Sequence, residues 1–348
     1  MRIGVVGYGT GGRHFHVPFI QAARGVSLAG VVARAPETVA AVREDLPGIP
    51  VFASLTEMLA SGTVDAVTIT TPPQTRAELV REAIAAGVHV IADKPFAPSA
   101  LAARELAEAA RAAGVTLAVY HNRRWDSDIR TLKKVLDDEA LGRPWRLHSR
   151  MDFDDPATLE AGPTGGLLRD LGSHVVDQAL WLLGPVRAVD AQLDCVELPE
   201  GPTDAGFTLT LRHASGAHSH ISASKLNHMT CRELRLYGST GAYLSQSIDV
   251  QAQAVFAGLR PADDPDRWGY EPEENWGQLH TALGTVAVPS EQGAYHAFYE
   301  AFAEAVRTGA PAPVTAEEGI ATLAVLDAAR LSAVRGRTVC LDEIAGAC

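Results

Sequence analysis

Short β-branched runs alternate with longer Ala-rich stretches over about the first 120 residues, the pattern of a parallel sheet with crossover helices. Six strands are expected, at Arg2 to Val6, Leu28 to Ala33, Pro50 to Phe52, Ala66 to Thr70, Val88 to Ala92 and Thr116 to Tyr120. Several are almost continuously apolar, as strands covered on both faces are. Helices fill the gaps. Ala102, Leu106, Ala109 and Ala113 recur at helical spacing behind a cap at Ser99, with Gly114 as the terminator, and Gly87 ends the helix before it in the same way.

The texture changes after Tyr120. Val189, Ala191, Leu193 and Cys195 alternate with polar residues, as do Phe207, Leu209 and Leu211, then Ser219, Ile221 and Ala223. A period of two argues for antiparallel strands with one buried face. The Pro/Asp/Gly-rich stretch from Gly258 to Gly277 reads as a long loop, and such loops are usually functional. Two helices close the chain: one carries the stripe Tyr295, Phe298, Phe302 and Val306, and Thr315 with Glu318 makes a capping box that opens the other. The expected fold is α/β, with a doubly wound parallel sheet over residues 1–120 and an α+β domain over 121–348 built on an open, mainly antiparallel sheet. There is no internal repeat or low-complexity tract.

Gly7, Gly9 and Gly12 form G-x-G-x-x-G directly after the first strand and at the head of a helix, the context that a dinucleotide fingerprint requires. Gly7 serves the tight turn, Gly9 brings bare backbone to the pyrophosphate, and Gly12 allows helix to pack on strand. Tyr8, Thr10 and Gly11 complete the cofactor loop. An NAD-selective protein places Asp or Glu at the end of the second strand, whereas this chain has Arg34. Its guanidinium could hold a 2′-phosphate, which favours NADP; the other reading is a solvated loop charge, and Glu37 nearby leaves NAD use open.

Asp93, Lys94 and Pro95 follow the fifth strand, at the carboxyl edge where doubly wound folds bind ligands. Farther on, GGLLRDLGSHVVDQALWLLG spaces Asp170, His174 and Asp177 at i, i+4 and i+7, on one helix face, with Leu168, Leu171, Val175 and Leu182 on another. Oxidising a secondary alcohol requires a base for the hydroxyl proton, and imidazole, with an ordinary pKa of about 6.5, suits that task. Lys94 would stabilise the developing alkoxide, and Asp170 or Asp177 would orient His174. The plainer reading of the same helix is a solvated polar face.

Composition narrows the partners. The 348 residues hold 30 Lys plus Arg against 42 Asp plus Glu, a formal charge of −12 that repels phosphate backbones and anionic lipid, so neither nucleic acid nor a membrane surface is expected. No apolar run reaches the roughly 18 residues of a membrane helix, and no signal-like segment opens the chain, which predicts a cytoplasmic protein. Cys195, Cys231, Cys340 and Cys348 are far apart and are expected to be reduced, mostly structural thiols. His218 and His220 share a strand face but lack a third ligand, so no metal is expected. His14 and His16 open the first helix with packing and ligand roles equally open, and the five tryptophans are expected to be core or loop anchors.

Taken in order, G-x-G-x-x-G, Thr71-Pro72, AGVHVIADKP and GGLLRDLGSHVVD resemble the Gfo/Idh/MocA oxidoreductases over essentially the whole chain. GYGTGGRHFHVPF, VYHNRRWDSD, the RPADDPDRWGYEPEENWG loop and PVTAEEG are similar to its NADP-dependent scyllo-inositol dehydrogenase branch. The resemblance implies a Rossmann domain, Lys94, Asp170 and His174 as the catalytic set, and Thr70, Thr71, Pro72 and Asp93 along the cofactor. It also implies Asn122, Arg123, Asp152 and Asp177 as polyol contacts, with a homodimer or homotetramer assembled through the open sheet. The chain departs from the family pattern in three places: Asp93 replaces the usual Glu, Arg76 or a neighbour replaces a histidine after Thr-Pro, and the stretch from Asp152 to Gly165 is short. The expected activity is hydride transfer between nicotinamide and a secondary hydroxyl or ketone of a cyclitol or sugar. The alternatives are a ketoreductase of deoxysugar or cyclitol biosynthesis and a non-catalytic dinucleotide sensor.

Overall fold

The computed structural model describes residues 1–162, 165–246 and 248–345, so Cys348 lies outside the described residues. Two compact units are present, the first comprising Met1–Trp125, Val250–Gly269 and Ala294–Gly319, the second Asp126–Asp249, Tyr270–Gly293 and Ile320–Cys348. Where the sequence predicts one cut after residue 120, the chain thus returns twice to the first unit. The reason is aromatic packing. Tyr295 meets Phe19 with ring centroids 5.1 Å apart, Phe298 meets Tyr120 at 5.0 Å, and Trp268 meets Phe19 at 5.9 Å. Burying such rings is among the larger gains open to any side chain, so these distant segments belong to the first core.

In the first unit six parallel strands take the order β3-β2-β1-β4-β5-β6. They are β1 (Arg2–Val6), β2 (Ser27–Val32), β3 (Val51–Phe52), β4 (Ala66–Ile69), β5 (His89–Asp93) and β6 (Leu117–Tyr120), each within a residue of its expected position. The order reverses between β1 and β4, which defines the crevice at their carboxyl ends. Helices α1 (Val17–Ala22), α2 (Pro36–Asp45), α3 (Leu55–Ala60), α4 (Pro73–Ala85) and α5 (Ala100–Ala112) connect the strands. Ser99 caps α5 by accepting the Ala102 N–H at 3.2 Å, as predicted.

The second unit contains α6 (Ser127–Asp137) and α7 (Leu167–Leu183) and a nine-stranded sheet. Its strands are β7 (Pro144–Asp152), β8 (Val186–Leu198), β9 (Gly201–His213), β10 (His218–Ser224), β11 (Cys231–Gly238), β12 (Gly241–Ser245), β13 (Gly277–Thr281), β14 (Gly284–Val288) and β15 (Val339–Cys340). They are ordered β14-β13-β12-β11-β7-β10-β9-β8-β15, and every pairing is antiparallel except β7 with β10. Leu147, Ser149 and Met151 of β7 are buried on the face that α7 covers. The opposite face carries Arg146, His148 and Arg150, and His148 lies 5.0 Å from the His220 ring.

The remaining helices are α8 (Val250–Phe256), which the pattern did not predict, α9 (Tyr295–Thr308), α10 (Ala316–Arg335) and α11 (Leu341–Ala345), so a short strand and a short helix follow the expected last one. On α9 the buried stripe runs Tyr295, Phe298, Phe302, Ala305, with Val306 half-buried. The Thr315–Glu318 capping box forms as predicted. Trp268 pins the Gly258–Gly277 stretch through an indole N–H to Gln251 Oε1 at 3.1 Å, whereas Trp145 is half-exposed rather than an anchor. Cys195 and Cys340 are exposed and Cys231 is half-buried, so none of the three is a core residue.

A buried acid pair in the second unit makes stability pH-dependent. Burial pushes the Glu271 carboxyl up to about 7, Asp128 adds its charge in the same direction, and Ser290 donates a hydroxyl hydrogen bond to it. Because the folded value is raised, this contribution is complete below the unfolded value of about 4.3 and is lost by pH 7, a change of a few kcal/mol. Relative to wild type, Glu271→Gln is therefore expected to gain Tm steadily between pH 4.5 and 7. A Tm difference that stays constant over that range would show that Glu271 is ionised in the fold throughout.

Candidate active site

The glycine loop leaves β1 at Gly7, whose φ of +102° is open to glycine and strained for other residues. The other glycines are required for different reasons. A Cβ on Gly12 would stand 2.2 Å from the Gly7 carbonyl oxygen, and one on Gly11 2.7 Å from Thr70 Oγ1, whereas one on Gly9 would meet nothing within 4 Å. Gly12 therefore serves backbone packing, and Gly9 borders open space at the carboxyl edge of the sheet. Instead of an ordinary helix, Gly11–His16 forms a wide π turn that runs into α1. Pro18 has no N–H to return to that turn, which accounts for the break in the α ladder. Tyr8 donates its hydroxyl to Asp45 at 2.9 Å and Arg13 pairs with the same carboxylate at 2.7 Å, tying the loop to α2.

Thr70 and Thr71 follow β4 in the adjacent position, and Thr71 Oγ1 is buried with no protein partner. Arg34 is exposed at the end of β2. An open cradle at Gly9, an unsatisfied hydroxyl at Thr71 and an exposed guanidinium beyond β2 fit a dinucleotide phosphate chain and adenosine ribose.

Asp93 closes β5 and accepts the Lys94 N–H at 2.8 Å. Its other oxygen lies 3.5 Å from Nε2 of His16, a wholly buried ring whose Nδ1 is 2.6 Å from the Tyr299 hydroxyl. Burial alone would raise the Asp93 carboxyl, but the His16 contact and the charges of His16, Arg76 and Lys94 hold it well below the usual carboxylate range. His16 is thus a packing residue that also steadies the aspartate. Arg76 is 4% exposed and donates to the Pro95 carbonyl at 2.7 Å and the Thr71 carbonyl at 2.6 Å. One guanidinium fork therefore joins the loop after β4 to the loop after β5, and the Lys94–Pro95 bond between them is cis. Asn122, buried, and Arg123, half-buried, occupy the turn after β6 in the same unit.

In the second unit α7 presents Asp170, His174 and Asp177 on one face, as the spacing predicts, but that face is not solvated. His174 is 7% and Asp177 1% exposed, and only Asp170 at the helix start reaches solvent. Helix α7 packs on β7, β9 and β10. On the apolar face Leu168, Leu171 and Val175 are buried and Leu182 is half-buried. Asp204 of β9 caps α7 by accepting the Leu168 N–H at 2.6 Å. Gly166 enters the helix at φ +92°, and a Cβ there would lie 2.1 Å from that carboxylate. Lys225, which no motif signalled, donates to Asp170 Oδ2 at 3.1 Å. Asp152 is buried and bonded by Arg150 at 2.6 Å, so its carboxylate is already engaged within the sheet. Among the described residues no group of three or more His, Cys, Asp or Glu could hold a metal ion, and no helix is long and apolar enough to cross a membrane.

Comparison with known proteins agrees with this geometry. The model of the oxidoreductase family with an NAD-binding Rossmann fold matches residues 1–121, and that of the GFO/IDH/MocA C-terminal domain matches residues 129–244. The chain is 32% identical over 352 aligned residues to the NADP(+) scyllo-inositol 2-dehydrogenase of Bacillus subtilis, covering 99% of this chain and 96% of that one. It is 29% identical to D-apiose dehydrogenase of Paraburkholderia graminis over 82% of this chain and 76% of that one. An oxidoreductase structure from Bacillus subtilis superposes with a TM-score of 0.89 at 32% identity, covering 98% and 97% of the two chains. With the Rossmann strand order, the glycine cradle and full-length identity in agreement, the chain belongs to the Gfo/Idh/MocA family and is an NAD(P)-dependent oxidoreductase.

Proposed function

We propose that this enzyme, which acts on CH–OH groups, oxidises one secondary hydroxyl of a cyclitol or sugar with NADP, scyllo-inositol being the first substrate to test. The observation that carries the reading is the buried polar face of α7, where His174 and Asp177 stand in a water-poor setting behind a capped helix start. A surface helix has no need to desolvate an imidazole and a carboxylate, whereas an acid/base pair does. The names of the relatives, an NADP(+) scyllo-inositol dehydrogenase and a D-apiose dehydrogenase, support the substrate class.

In this reading His174 takes the hydroxyl proton, the Lys94 ammonium stabilises the oxygen as it loses that proton, and Asp170 orients the imidazole. Bound nicotinamide supplies the hydride acceptor. Asn122, Arg123 and Asp177 hold the remaining hydroxyls, Asp152 anchors the end of the central strand β7 through Arg150, and a second copy covers the open sheet face. Absorbance of the reduced nicotinamide across a panel of inositols and sugars, with each cofactor, tests the reading directly. Binding of NADPH without turnover of any polyol would replace it with a sensor.

Arg34 is exposed with no ion pair among the described residues, and no carboxylate stands at that position, which favours the 2′-phosphate of NADP. Arg34→Ala is expected to raise KM for NADP by about 10- to 100-fold, the loss of a charge-assisted hydrogen bond, and to leave KM for NAD unchanged. Equal effects on both cofactors would refute the assignment.

A further inference from the structure

We infer that Lys225 is a positioning residue that holds the Asp170 carboxylate in place for the reaction. The inference rests on the reading of Asp170 and His174 as site residues. Lys225 follows β10, where its N–H donates to the Ala205 carbonyl at 3.0 Å, and the residue is only 6% exposed. Its ammonium donates to Asp170 Oδ2 at 3.1 Å and to Thr158 Oγ1 at 2.7 Å. Thr158 is held in turn, because its hydroxyl lies 3.0 Å from the Asp155 carbonyl.

The two partners are unequally placed: the lysine side chain is 8% exposed and the aspartate 45%. An exposed pair of this kind contributes little, but removing an ammonium from water costs several kcal/mol unless its partners are well arranged. Fastening the helix does not account for that cost, because the start of α7 is secured without Lys225. Asp204 caps it through Leu168, and Arg330 donates to the Gly165 carbonyl at 3.2 Å and lies 3.4 Å from Asp204. What Lys225 adds is a fixed cation on the Asp170 side chain itself, one helical turn before His174. It holds that carboxylate in a single rotamer at the start of the helix that carries His174.

The test uses the intact enzyme with selectively labelled aspartate carboxyls, Asp170 being identified by its absence from Asp170→Asn. Lys225→Met is expected to move the Asp170 titration up by about one pH unit or more, and Lys225→Arg to restore it. An unchanged titration in Lys225→Met would overturn the proposal. With scyllo-inositol and NADP, Lys225→Met is also expected to lower kcat about tenfold in the wild-type background and less than about twofold in Asp170→Asn, whereas independent effects in the two backgrounds would refute a role through Asp170. If Lys225→Met does not fold, Thr158→Val removes the second partner while keeping volume, and it must shift the same titration in the same direction. A wild-type enzyme that turns over no polyol would defeat the functional reading, while the titration still decides the role of Lys225.

Discussion

Replacing His174 by alanine is expected to lower kcat by about 10²- to 10⁴-fold while leaving cofactor affinity within about twofold of wild type. The imidazole lies on α7, and the substitution leaves every residue of the glycine loop unchanged. Alanine is the best helix former, so the helix is preserved, and the space left costs stability without unfolding the domain. The residual rate would come from Lys94 and from substrate positioning. Absorbance at saturating polyol measures kcat, and quenching of protein fluorescence by NADPH measures affinity. A variant retaining a tenth or more of the wild-type rate would remove His174 from the proton transfer.

That helix also shows where sequence reasoning stops. The positions of Asp170, His174 and Asp177 were legible because three residues at i, i+4 and i+7 share a face in any α-helix. Their burial was not, because spacing within a helix does not say what packs over each face. The sheet of the first unit was legible almost to the residue, since strands covered on both sides are written as apolar runs. By contrast β7, the strand on which the second sheet turns from antiparallel to parallel pairing, alternates Leu147, Ser149 and Met151 with Arg146, His148 and Arg150, a weaker signal.

The residues missed at the site act across long separations or through backbone atoms. Lys225 reaches Asp170 over 55 residues, and Arg76 spends its guanidinium on two carbonyls, which carry no side-chain signature. The sequence points to Arg76 or a neighbour as a departure from the family pattern, but not to the Arg76 clamp on the loops after β4 and β5. The domain interleaving was hidden for a similar reason. The stripe on α9 predicts that the helix is amphipathic, but not that Phe19 and Tyr120 are what it covers.

The glycine loop offers the sharpest separation of folding from function. Gly9→Ala is expected to leave Tm within about 1 °C of wild type, since its Cβ would meet no atom within 4 Å and exposed changes of this kind are nearly neutral. The same methyl group would occupy the space reserved for the pyrophosphate, so affinity for NADP should fall by about 100-fold or more. Gly12→Ala should fail earlier. Its Cβ would stand 2.2 Å from the Gly7 carbonyl oxygen, and because that atom is backbone, relief requires the turn after β1 to move. Loss of both Tm and cofactor binding is therefore expected, with Tm down by several degrees, as a strained backbone position costs about 1 to 3 kcal/mol. Thermal unfolding with and without NADPH separates the two cases: Gly9→Ala should show a wild-type transition that NADPH no longer raises, whereas Gly12→Ala should already be lowered without it. If Gly9→Ala binds NADPH as wild type does, the open space beside Gly9 is not where the phosphates lie, and the cradle must be sought elsewhere along the carboxyl edge.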